Sequence, residues 1–265
     1  MSHTKKIARV IQYELQHLIE RRINALLLAG YALLAIAISC IDSFREIYFS
    51  AFNSVVLELA NFILPVFLFV NLALVLSPVF AGEIENHIEE IPSTCTYGRR
   101  TRCLCKLFAI LLFIILLNVA YHLVTCLIGL LTQPLETWSQ LVTNVGGENL
   151  FNFLWSAWSH YLFAVLSLIL GSIVTAVLTL LISCHSKATM TVCAGMSLIG
   201  ILEFMFNRFS FWDVSQQYNL WQLLTPYRLA SDAPFYYPAA NVAAVGGFFA
   251  LICTVLVWRI LKKGV

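Results

Sequence analysis

Leu104–Leu131 reads LCKLFAILLFIILLNVAYHLVTCLIGLL, and after Lys106 it contains no Asp, Glu, Lys or Arg. A helix crosses a bilayer with about 20 mostly apolar residues, so this stretch alone is long enough for a span. Five further stretches have the same character: Ile23–Ile41, Val56–Phe80, Ala157–Ser183, Ala188–Phe206 and Ala239–Leu261. The third and fourth of the six exceed what a straight crossing needs, which predicts tilt or protruding ends. Period-2 alternation with turn signals is absent, which argues against a β-barrel. The expected fold is therefore an all-α integral membrane protein with six transmembrane helices.

The rest of the composition agrees. Of 265 residues, 60% are hydrophobic and 11% charged, against about 45–50% and about 25% in an average soluble domain. Mean hydropathy is +0.83. Thirty charged residues are too few to clothe a soluble surface, and disorder would need low hydrophobicity. A net charge of only +2 disfavours nucleic acid as a partner, because binding phosphates takes a clustered basic excess.

Orientation follows from Lys and Arg, which are enriched in short cytoplasmic loops. Thirteen lie on one side: Lys5, Lys6, Arg9, Arg21 and Arg22 before the first span; Arg99, Arg100, Arg102 and Lys106 between the second and third; Lys187; and Arg259, Lys262 and Lys263 in the tail. Three, Arg45, Arg208 and Arg228, lie on the other. Both termini are thus expected in the cytoplasm. A competing reading takes residues 1–40 as a cleavable leader ending at Ala37-Ile38-Ser39-Cys40, but a basic lead of 22 residues is long for a signal peptide. Cys95, Cys103, Cys105 and Cys184 fall on the cytoplasmic side and Cys126, Cys193 and Cys253 within spans, where thiols stay reduced and pack as small hydrophobes. No standard zinc spacing joins Cys95, Cys103, Cys105 and His87, so no metal site is expected.

Residues 4–22 alternate as an amphipathic helix, with Ile7, Val10, Ile11, Leu15, Leu18 and Ile19 on one stripe. That pattern suits a helix lying among headgroups, apolar face down. It is an anchor, a mechanical link to a cytoplasmic partner, or both. Residues 81–106 are acidic first, with Glu83, Glu85, Glu89 and Glu90, and then basic, with Arg99, Arg100, Arg102 and Lys106. Ile84, Ile88 and Ile91 repeat at helical spacing until Pro92. A short charged helix followed by a basic return suits docking on a soluble partner; a solvated loop whose arginines fix topology is the plainer alternative.

Gly82-Glu83, Glu89-Glu90-Ile91, Ser93-Thr94, Tyr97-Gly98-Arg99-Arg100 and then Lys106 opening a span resemble the cytoplasmic loop of type-2 ABC exporter permeases. The six-span layout led by an amphipathic helix is similar along the whole chain, while Cys95 stands where many members have Pro. The resemblance implies a single permease domain over residues 1–265 that carries no cofactor. ATP and Mg would be bound by two copies of a separate ABC ATP-binding subunit, beside a second permease copy, identical or homologous, in the cell membrane. Glu83, Glu85, Ile88, Glu89, Glu90, Ile91, Arg99, Arg100 and Lys106 would dock the ATPase through a short coupling helix. Consistently, no G-x-x-x-x-G-K-[ST] occurs in the sequence.

Residues 207–238 hold nine aromatics, among them Phe211, Trp212, Trp221 and Tyr227, and Thr225-Pro226 ends a short apolar run. This reads as re-entrant or interfacial helices forming an outer gate, or as an aromatic belt. Ser167, Gly171, Thr175, Thr179 and Ser183 recur every four residues, and Ala239, Ala243 and Gly247 do likewise. Small residues let helices approach closely, so both stripes read as packing, with pathway lining the alternative for the first. Asn61, Asn71 and Asn118 are placed to bond across helices, Pro65 to bend the second span, and His122 to make a helix contact. Glu58 and Glu203 fall near outer ends, where a carboxylate reaches water. An intramembrane enzyme is disfavoured, because H-E-x-x-H, G-x-S-x-G and paired midplane aspartates are missing. A secondary transporter or channel, or an immunity or assembly factor without transport activity, are the remaining alternatives to an exporter of amphipathic or hydrophobic cargo such as a peptide, drug or lipid-like molecule.

Overall fold

A computed structural model describes residues 3–40, 55–86, 98–132, 139, 156–209 and 238–263. The regular elements among them are all helices. Helix α1 spans His3–Ile19 and α2 spans Arg22–Cys40. The bend between them is fixed by Asn24, whose amide donates to the carbonyls of Leu18 (2.7 Å) and Ile19 (3.2 Å). These are among the carbonyls that the end of α1 leaves without intrahelical partners.

The second apolar segment is not one uniform helix. It runs as α3 (Val55–Glu58), a π-helical turn (Leu59–Ile63) and α4 (Leu64–Leu76). Pro65 has no N–H to donate to the Asn61 carbonyl, and its ring crowds that carbonyl. The chain takes the wider register instead, with the Leu64 N–H bonded to the Leu59 carbonyl. The bend expected from Pro65 is thus a change of helix type one turn earlier. A turn over residues 77–80 leads to α5 (Ala81–Glu85). Helix α6 spans Gly98–Thr132, α7 Ala157–His185, α8 Thr189–Phe209 and α9 Pro238–Lys263. Ser156 caps α7 by accepting from the Ser159 N–H at 3.3 Å.

Among the described residues, four stretches are helical, long and apolar enough to cross a membrane: Arg22–Cys40, Val55–Glu85, Thr101–Thr132 and Ala157–His185. They mark the chain as a membrane-embedded helical protein. Where the last two spans were expected, α8 and α9 are helical.

Helices α4 and α7 form the centre, with α6, α8 and α9 against α7, α2 against α4 and α6, and α1 along α6. Leu64, Leu68, Leu72 and Leu76 repeat every four residues along α4 and are fully buried with Tyr31, Tyr121 and Leu168. Phe108, Ile115, Leu116, Leu123 and Leu127 of α6 are exposed, as expected of side chains that meet lipid rather than water.

Several expectations are corrected. Helix α6 begins at Gly98 rather than Leu104, so Arg99, Arg100 and Arg102 lie on the helix and not in a loop. Glu58 is fully buried instead of reaching water. A Cβ on Gly247 would meet nothing within 4 Å, whereas one on Gly246 would lie 3.6 Å from Leu170 Cδ1 of α7. At Gly200 a Cβ would stand 2.8 Å from Phe69 Cε1, so the missing side chain is what lets α8 approach α4.

Candidate functional site

The acidic element after the second apolar segment is held from three sides. The Glu83 carboxylate of α5 pairs with Arg102 Nη2 at 2.8 Å and Lys106 Nζ at 2.7 Å. Arg102 and Lys106 are four residues apart and share one face of α6. The Arg102 Nε also lies 4.0 Å from Glu14 of α1. Lys106 donates to the Val79 carbonyl at 3.2 Å, and its Nζ sits 5.0 Å from the Phe80 ring centroid. The Lys106 side chain is only 5% exposed and Glu83 19%. Burial of that ammonium is tolerable only because the carboxylate, a carbonyl and a ring face replace its water.

From α7, Ser183 Oγ accepts the N–H groups of Phe80 (3.2 Å) and Ala81 (2.9 Å) and donates to the Ser77 carbonyl at 2.7 Å. One hydroxyl from another helix therefore satisfies the first donors of α5, which has no cap of its own. From α8, the Thr189 N–H (3.0 Å) and hydroxyl (2.8 Å) donate to Glu85. The backbone bond first, and the hydroxyl second, hold the Glu85 carboxyl below its usual range. A carboxylate at a helix N-terminus also suits the dipole of α8. A cavity of about 350 Å³ opens between α1, the 77–86 segment and α6, with Arg21, Glu14, Glu83, Arg102 and Lys106 in its wall.

Deeper in the bundle the contacts join amides, hydroxyls and imidazoles. Asn71 donates to the Tyr121 hydroxyl at 3.2 Å, Asn118 to the Ser172 hydroxyl at 3.2 Å, and Tyr31 bonds with Thr125. His122 Nδ1 is 2.9 Å from the Tyr161 hydroxyl, and Asn61 is 3.3 Å from His160 Nε2. Ser167, Thr175 and Thr179 are fully buried, and the two threonine hydroxyls donate back to Gly171 and Thr175 carbonyls at 2.8 Å. The four-residue stripe is thus inside this one chain. A second cavity of about 410 Å³ lies between α6 and α7, lined mainly by residues such as Val119, Leu123, Leu127, Val165 and Ile169.

Of the residues expected to dock a partner, Glu83 and Lys106 are bonded to each other, and Glu85 is bonded to α8. Arg99 and Arg100 lie in the first turn of α6. Ile88, Glu89, Glu90 and Ile91 lie outside the described residues, as do Phe211, Trp212, Trp221, Pro226 and Tyr227. The helix expected through Ile91 is described only as Ala81–Glu85. Glu14, Thr189 and the capping role of Ser183 escaped the sequence reading, since each acts across more than 80 residues of chain on α5 or its anchors. Seven cysteines among the described residues are free thiols, and Cys103, Cys105 and Cys184 are buried. No group of three or more His, Cys, Asp or Glu that could hold a metal occurs among the described residues.

Fold and junction together define a membrane-embedded helical protein with a charged, multiply anchored turn at one end of its bundle. No protein-family model matches the chain, and no curated protein matches it.

Proposed function

We propose that this chain is the transmembrane subunit of an ATP-driven exporter in the cell membrane, with six spans and both termini in the cytoplasm. It works with a second permease copy, identical or homologous, and with two copies of an ATP-binding subunit that hold ATP and Mg. Its cargo is amphipathic or hydrophobic, a peptide, drug or lipid-like molecule, and moves by alternating access. One observation supports this above the others: α5 is bonded at once to α6 through Glu83, to α7 through Ser183 and to α8 through Glu85. A push on the acidic segment that follows α5 is passed to three helices without slack. An isolated topology loop has no use for such anchoring. The chain itself performs no hydrolysis in this reading.

Glu89 and Glu90 are the sites to test, because the Glu83 pairs are made with Arg102 and Lys106 and neither glutamate is a member of them. Glu89→Lys with Glu90→Lys should weaken binding of the purified chain to its P-loop ATPase at least about tenfold, with membrane insertion unchanged. Unaltered binding would remove the docking role.

A secondary transporter is the second reading, and one observation favours it. The π-helical turn Leu59–Ile63 interrupts an apolar helix directly after buried Glu58, and interrupted helices are what many secondary carriers use to build their ion sites. Uptake or efflux in vesicles driven by a proton gradient without ATP, and lost in Glu58→Gln, would favour it.

A further inference from the structure

The cavity between α1 and α6 contains a charge that the fold leaves uncompensated. Its wall carries three fixed cations, Arg21, Arg102 and Lys106, against two carboxylates, Glu14 and Glu83. Both carboxylates are engaged by Arg102 and Lys106, at 4.0 Å for Glu14 and 2.7–2.8 Å for Glu83. Arg21 makes one hydrogen bond, from Nη1 to the Val75 carbonyl at 2.6 Å, and no carboxylate among the described residues reaches it. That bond fixes the guanidinium while its other N–H donors stay unused. Burial, which lowers its pKa, means water solvates it incompletely. A planar guanidinium held this way is matched to the paired oxygens of a phosphate.

Location narrows the ligand. Arg21 stands in the bend between the amphipathic helix α1 and the first apolar helix α2, which is where a chain passes from the headgroup layer into hydrocarbon. At about 350 Å³ the cavity falls in the roughly 300–1,000 Å³ range of small-ligand sites. Basic pockets at this depth take anionic headgroups. The geometry points to a phospholipid site: the cavity binds the phosphate of an anionic lipid headgroup, with the Arg21 guanidinium as its principal partner and Arg102 in the same wall. The occupied site adds a negative charge beside the Glu14–Arg102–Glu83 chain, so lipid composition tunes how firmly α1 and α5 are tied together. This rests on membrane placement alone and needs no motor subunit.

The neighbouring arginine provides the control. Arg22 is exposed and lines no part of this cavity. The full-length chain, purified in detergent, is titrated with phosphatidylglycerol and with phosphatidylcholine in mixed micelles, and binding is followed by intact-complex mass spectrometry. The wild type should prefer phosphatidylglycerol. Arg21→Gln should weaken that binding roughly tenfold, Arg21→Lys should lose part of it by losing the planar fork, and Arg22→Gln should change it less than about twofold. Equal losses in Arg21→Gln and Arg22→Gln would make the effect a diffuse surface charge and overturn the site. Equal affinity of the wild type for the two lipids would overturn it too. Soluble glycerol 3-phosphate at millimolar concentration should not displace the lipid; displacement would assign the cavity to a soluble phosphate ester and overturn the lipid assignment. Should Arg21→Gln not fold, Arg21→Lys and the competition in the wild type decide the matter.

Discussion

The charged junction and the buried interior of the bundle solve the same problem in opposite ways. At the junction, polar groups are ionised and cross-linked: Glu83 with Arg102 and Lys106, and Arg102 with Glu14. Between α4, α6 and α7, the polar contacts described above are neutral: Asn71 with Tyr121, Asn118 with Ser172, Tyr31 with Thr125. A charge is affordable only where another charge or the headgroup layer compensates it, whereas an amide or hydroxyl needs a single partner to remain in hydrocarbon. The difference teaches which links are stiff. Losing one member of an ion pair strands a buried charge, while losing one neutral bond strands at most one dipole.

Substitutions can break or sharpen this contrast. The largest effect is expected at Glu83. Glu83→Gln leaves Lys106 buried without its carboxylate and should cost roughly 3–5 kcal/mol in SDS-induced unfolding from mixed micelles. Adding Lys106→Met should recover most of that loss, because an apolar side chain of similar length needs no partner. A loss below about 1 kcal/mol for Glu83→Gln would mean that the junction is solvated like a surface pair, and the contrast would disappear. Next comes Ser183→Ala, which removes the acceptor of the Phe80 and Ala81 N–H groups and should cost roughly 1–3 kcal/mol in the same assay. Faster amide exchange at Phe80 and Ala81 would locate the loss. Gly200→Ala sets a methyl against Phe69 and should cost about 1 kcal/mol, less if the ring can turn aside. Smallest of all, Tyr121→Phe removes the hydroxyl that Asn71 donates to and should cost about 0.6 kcal/mol, the average for such bonds in membrane bundles. If that change matched Glu83→Gln, the ranking of charged over neutral links would be wrong.

Much of this was legible in the sequence and some of it was not, for physical reasons. Long uncharged runs such as Leu107–Leu131 declare membrane helices because hydrophobicity is summed locally. The amphipathic stripe over residues 4–22 reappears as α1, since the 3.6-residue period is likewise local. The four-residue stripe of α7 pointed to buried small polar residues, and they are buried. What sequence could not supply is partner choice. Glu83 looked like a charge offered outward, yet it pairs with Arg102 and Lys106 of α6. Glu58 looked close enough to an end to reach water, but the helix packing around it decides that, and it is buried. Pro65 announced a disturbance without saying that the chain would answer with a π-helical turn.

Under the proposed function, a separate ATP-hydrolysing subunit takes hold of the acidic segment that follows α5. The most direct measurement is the mass and ATPase activity of the complex extracted from native membranes into lipid nanodiscs through an affinity tag on this chain. The account predicts two permease copies with two P-loop ATPase subunits, and hydrolysis that depends on both. Extraction of this chain in active form with no ATP-hydrolysing companion would contradict it.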